Sequence, residues 1–271
     1  MEALGPVVSQ RSFPDNAPMR RVLPLLCLLP LMSCAPAATG PATAGAAVAR
    51  PAATSPLRAA FSDQGVAWVS GGQPCVARPP SFRAVCPRLP ATVDVAWQGA
   101  EAWAAVPGIG AVVTLDGAPR SVPVGRVVAL SATRVYREDG SAVTYAGAPA
   151  RGVVGAPAAA VTDGQGEDYV LLAGALRRVS DGRVLERVAG PVLVALPSGA
   201  RSQETPEVVD EFGTFRLANG RLEALDALGQ VRRAVPHGPG LVGRVGQWVV
   251  TVTASGVVRL FTTSLEERPR P

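Results

Sequence analysis

The chain has 271 residues, a formal net charge of +5 and a 48% share of hydrophobic residues. Every basic residue is an arginine, and the arginines are scattered without an aromatic-interleaved stripe, which argues against a nucleic-acid partner. The length allows a substantial core, and four cysteines with a single histidine leave little for metal chemistry.

Residues 20–34 read RRVLPLLCLLPLMSC: two arginines, an apolar run of 11 residues from Val22 to Met32, then Ser33 and Cys34. A positive segment, an apolar core of roughly 7–15 residues and a small residue before the cut form a secretory signal. A spanning helix needs about 20 apolar residues, and Pro24 and Pro30 interrupt this run. Leu31-Met32-Ser33-Cys34 resembles the bacterial lipoprotein box. That resemblance implies a diacylglyceryl group on Cys34, hence durable attachment to a membrane, because two acyl chains anchor stably where one does not. It also implies a cell-envelope location, periplasmic or surface-facing. Ala35 in place of an aspartate favours the outer membrane. Residues 1–18 look unlike the start of a signal, and Met19 offers an alternative initiation site.

After Cys34 the chain is rich in Ala, Pro, Gly and Thr up to Arg58. Such a segment buries too little apolar surface to offset its ordering entropy. The expected organisation is a signal peptide over 1–33, the lipidated cysteine and a flexible tether over 34–60, and a folded domain over 61–268.

Cys27 lies within the signal, which leaves Cys75 and Cys86. In an oxidising compartment this pair is expected to form a disulfide closing a loop of ten residues around Pro79-Pro80. Closure of so short a loop stabilises by roughly 2–3 kcal/mol. The absence of CxxC spacing argues against a redox or metal pair.

From Phe61 onward, short Val/Leu/Ala-rich runs alternate with Asp-Gly, Asn-Gly and Ser-Gly turns, which reads as hairpin after hairpin. Turn glycines at 71, 110, 140, 182, 220 and 256 recur about every 37 residues, near the length of a four-stranded propeller blade. Leu222, Leu225 and Leu228 also stand at helical spacing, but the glycine punctuation favours a strand over Arg221 to Leu228.

The segment GTFRLANGRLEALDALGQVRRAV, from Gly213, resembles a quinoprotein-type (PQQ-like) propeller repeat through Gly220, Leu222, Ala224-Leu225-Asp226 and Gly229. Looser matches begin at Ala175 and Trp248. The resemblance implies an all-β, propeller-like domain of five or six small blades. It also points to the lipid-anchored propellers that act as scaffolds in outer-membrane protein assembly. The chain is much shorter than the eight-bladed quinone enzymes, so no cofactor is expected.

The sequence has no GxSxG, HExxH or P-loop motif. His237, in VPHGPG, reads as an exposed loop residue. Asp163, Gln165, Glu167 and Asp168 could supply oxygen ligands to calcium, but read better as a solvated hairpin turn, and no metal is expected. Glu204, Glu207, Asp210 and Glu211 include carboxylates of the kind glycoside hydrolysis requires, though acidic loops are commonly just solvated. Trp68, Trp97, Trp103 and Trp248 could stack on sugars; their apolar neighbours favour packing inside blades. The expectation is therefore a non-enzymatic envelope lipoprotein with a protein partner. A carbohydrate- or small-ligand-binding surface protein is the alternative, and a hydrolase stands behind both.

Overall fold

The computed structural model describes residues 56–211 and 213–269. The signal, Cys34 and most of the tether lie outside them. The described residues are all-β, with one 3-10 turn at Pro107–Ile109. None of their helices is long and apolar enough to cross a membrane.

Among the described residues there are six four-stranded antiparallel sheets, each a meander of consecutive strands. They occupy residues 58–85, 94–123, 127–150, 159–186, 207–236 and 240–268, numbered here as blades 1 to 6. A two-stranded hairpin, Val192–Ala195 paired with Ala200–Gln203, stands between blades 4 and 5. The first strand of each sheet packs against the first strand of the next, and Arg58–Ser62 packs against Gly240–Val245, so the ring closes. This is a β-propeller with a truncated seventh position.

The first described strand begins at Arg58. Five of the expected turn glycines occupy the same place, the turn between the second and third strands: Gly71, Gly110, Gly140, Gly220 and Gly256. Gly182 does not. It follows the third strand of blade 4, and the equivalent residue is Gly174. The interval from Gly174 to Gly220 is long because it contains the extra hairpin.

The second strands carry the core. Val66–Val69, Ala102–Val106, Val170–Leu172 and Val249–Val252 are buried throughout. Their side chains alternate between the two faces of each sheet, so each blade packs on both neighbours. Trp68 joins Val250, Val252 and Leu260 between blades 1 and 6. Val69, Val76, Trp97 and Ala104 pack between blades 1 and 2, and Trp103, Val127, Leu130 and Tyr145 between blades 2 and 3. Similar clusters join blades 3 and 4, and blades 5 and 6. Each fully buried large side chain contributes about 1.5–3 kcal/mol of transfer free energy.

Some turns admit only glycine. Gly140 has φ +84°, and a Cβ there would stand 2.2 Å from the Val153 carbonyl oxygen. Cys75 and Cys86 are joined in a disulfide that fastens the third strand of blade 1 to the end of its edge strand, Ala84–Val85. Arg221–Leu225 is a strand, followed by a turn at Asp226.

Candidate functional site

A meander fixes two faces. Each blade's first strand starts on the face where the chain enters at Arg58; the second turns and the blade-to-blade linkers lie there too. The first and third turns lie on the opposite face. Both ends of the ring carry polar groups.

At the entry end, the Arg58 guanidinium reaches from blade 1 to the Ala158 carbonyl at the head of blade 4, 3.1 Å away. Asp94, at the start of blade 2, accepts the Leu130 N–H at 2.8 Å and its neighbour Val95's at 2.9 Å. Burial pushes the Asp94 pKa up to about 6, against the lowering effect of those two N–H groups and of Arg58.

On the opposite face the first turns of blades 1, 4, 5 and 6 and of the hairpin surround an open depression of about 710 Å³. Its lining includes Asp63, Leu196, Pro197, Glu211, Arg244 and Gln247. Asp63 Oδ1 accepts the Gly246 N–H at 3.3 Å, tying blade 1 to blade 6 at the rim. Across the rim, Asp163 holds the hairpin to blade 4. Its carboxylate accepts the Gly199 N–H at 2.7 Å, the Gln165 and Glu167 N–H groups at 2.9 Å and the Tyr169 hydroxyl at 3.1 Å. Burial would raise the Asp163 pKa, but these donors outweigh it and hold the group below the ordinary aspartate value.

Gln165 is exposed in this turn, as a solvated hairpin requires, but the structure corrects that reading for the two aspartates. Asp163 and Asp168 are both buried. Asp168 is a hub: its Oδ2 accepts Ser131 Oγ at 2.7 Å, Thr133 Oγ1 at 2.8 Å, the Tyr136 hydroxyl at 2.9 Å and Arg134 Nη1 at 3.1 Å. Its Oδ1 accepts Thr162 Oγ1 at 2.6 Å. A buried charge needs such pairing, and here it locks blade 3 to blade 4. Burial and the neighbouring Asp168 charge raise the Tyr136 pKa, so its hydroxyl stays a donor. Among the described residues no three His, Cys, Asp or Glu side chains are grouped to hold a metal ion.

His237 is likewise buried rather than exposed. Its Nδ1–H donates to the Gly238 carbonyl at 2.6 Å, and its Nε2 accepts the Thr251 hydroxyl at 2.7 Å. Burial lowers its pKa. The acidic run beyond the hairpin is dispersed: Glu207 pairs with Arg201, while Glu204 and Glu211 are exposed.

The tryptophans pack within and between blades. Trp68, Trp97 and Trp103 are buried, and Trp97 Nε1 donates to the Ala60 carbonyl at 3.0 Å. Trp248 is half-buried, with the Arg268 guanidinium 4.7 Å above its ring. The glycines at 238, 240 and 243 have GxGxxG spacing but lead into the strand Gly240–Val245 instead of a helix, so they form no dinucleotide-binding loop.

No protein-family model matches the chain, and no curated protein does. Among solved structures, PorZ of Porphyromonas gingivalis, an essential bacterial surface component of the type IX secretion system, is similar at 14% identity and a TM-score of 0.52. The match covers 79% of this chain and 38% of PorZ. BamB from Moraxella catarrhalis is similar over 74% of this chain and 83% of BamB, at 17% identity and a TM-score of 0.44. A streptogramin B lyase is similar over 79% of this chain and 82% of the lyase, at 10% identity and a TM-score of 0.39.

Proposed function

We propose that the chain is a lipid-anchored β-propeller of the cell envelope, attached through acyl chains on Cys34, that works as a protein-interaction scaffold. The observation that carries this reading is the placement of the open depression. It lies on the face opposite the start of the strand Arg58–Ser62, and its first turns are tied together by the Asp63–Gly246 and Asp163–Gly199 hydrogen bonds. A rigid, turn-lined concavity held clear of the anchor suits capture of a protruding segment of another envelope protein. The histidine, the buried aspartates and three of the four tryptophans are committed to internal packing and hydrogen bonds. PorZ, a bacterial surface component similar in fold, agrees with an envelope setting.

The test is photo-crosslinking in intact cells from Gln247, exposed at the rim of the depression, with Leu228 on the outer edge as the control. The mass of the Cys34 peptide is read in the same preparation. The expected result is one recurring envelope protein captured from Gln247 and not from Leu228, on an acylated chain. Acylation without capture would overturn the scaffold reading; an unmodified Cys34 would remove the anchor.

A second reading, a carbohydrate or other small ligand, is favoured by the volume alone, since ligand pockets span about 300–1,000 Å³. The buried tryptophans weigh against sugar stacking. A thermal-shift screen with glycans and metabolites that moves the melting temperature would select this reading.

A further inference from the structure

The two most exposed large aliphatic side chains of the described residues are Val154, 95% exposed, and Val188, 92% exposed. The first stands in the linker after blade 3 and the second in the linker after blade 4. Both are held in place by backbone. Val153 N–H donates to the Gly140 carbonyl and Ala189 N–H to the Gly174 carbonyl, each 2.8 Å away. These are matching links from a linker back to its own blade's second turn, so both valines lie on the entry face. Ile109 and Val257, in the second turns of blades 2 and 6, are also exposed there.

Arginine accompanies the two valines: Arg151 precedes Val154 and Arg187 adjoins Val188, and both are exposed. The acidic groups of this face in blade 3 are already engaged. Glu138 pairs with Arg126 at 3.1 Å, and Asp139 accepts the Ser141 N–H and hydroxyl. Glu204, in the linker before blade 5, is exposed. Aliphatic side chains flanked by arginine match a surface of anionic headgroups, where each basic residue near the surface contributes about 1 kcal/mol. The described chain begins on this same face, at the start of the strand Arg58–Ser62.

We propose that the entry face lies against an anionic lipid surface, with Val154 and Val188 entering the headgroup region and Arg151 and Arg187 meeting lipid phosphates. This deepens the anchoring proposed at Cys34, because a tether from that residue delivers this face to the bilayer. The depression then points away from the membrane.

The test uses residues 51–271, a compact unit whose ring closes on itself and which lacks Cys34. Co-sedimentation is measured with vesicles of phosphatidylcholine containing phosphatidylglycerol, and with phosphatidylcholine alone. Binding to the anionic vesicles that weakens as salt rises is expected. The pairs Val154→Ser with Val188→Ser, and Arg151→Glu with Arg187→Glu, are each expected to lower it about tenfold or more. Binding by either pair equal to that of the parent chain, or equal binding of the parent to neutral vesicles, overturns the assignment. Absence of binding overturns it too, and leaves anchoring through Cys34 standing if the full chain still fractionates with membranes. A photo-crosslinker at Val154 in cells that captures protein instead of lipid would give the face to a protein partner and overturn the proposal.

Discussion

The Phe61 ring occupies the space in which a side chain on Gly243 would have to stand, since a Cβ at that glycine would lie 2.1 Å from the ring. The two residues belong to the first strands of blades 1 and 6, where the ring closes. Closure therefore depends on one large and one absent side chain meeting across the seam. Gly243→Ala is expected to destabilise by about 1–3 kcal/mol through overpacking, seen as a lower urea midpoint. Gly108→Ala, which meets no atom within 4 Å, serves as the control and is expected to change little.

The Asp168 hub supplies a second expectation. Asp168→Asn leaves the Arg134 guanidinium without its carboxylate, and a broken buried pair costs about 3–5 kcal/mol. Tyr136→Phe removes one hydrogen bond to this carboxylate and is expected to cost about 1.5–3 kcal/mol. If Asp168→Asn unfolds at the same denaturant concentration as the parent chain, the carboxylate does not hold blades 3 and 4 together.

Much of this architecture is legible from hydrophobic alternation and glycine turns, because both are local. Arg221 to Leu228 reads as strand, and Arg221–Leu225 is strand for that reason, ended by the turn at Asp226. Blade registration was harder to read. Gly174 and Gly182 both terminate strands in blade 4, and a regular spacing selects the wrong one when a hairpin is inserted before blade 5. The polar interior was not legible at all. Asp163, Asp168 and His237 sit in turn-like sequence, and only the approach of a neighbouring blade buries them. A trace of the hub exists in Ser131-Ala132-Thr133-Arg134, three donors in four residues, but its acceptor lies more than thirty positions away.

The disulfide carries a local expectation. The edge strand Ala84–Val85 is held by only two residue pairs, to Val76 and Ala77, besides the Cys75–Cys86 bond. Phe82, within the closed loop, is anchored in the core between blades 1 and 6. Replacing both cysteines with serine is expected to cost about 2–3 kcal/mol. Amide exchange is expected to rise at Ala84 and Val85 and to stay slow in Gly65–Ser70. Accelerated exchange throughout blade 1 would show that the bond supports the whole sheet.

Asp94 and His237 give the protein two opposed responses to mild acid. The folded-state pKa of Asp94 is raised to about 6, above the ordinary aspartate value of about 3.9. Between those values the folded chain takes up a proton that the unfolded chain does not. The contribution is fully present below about pH 3.9 and is lost as pH rises through about 6. His237 acts in the other direction. Burial lowers its folded pKa, so the unfolded chain protonates first, and stability is lost as pH falls below about 6.5. The parent chain is expected to depend on pH less between 7 and 5 than either single variant. Asp94→Asn, which keeps an oxygen for the Leu130 N–H, is expected to lose stability as pH falls from 7 to 5. His237→Gln is expected to gain it. Urea midpoints measured across that range decide the matter, and parallel curves for Asp94→Asn and the parent would show that Asp94 does not titrate there.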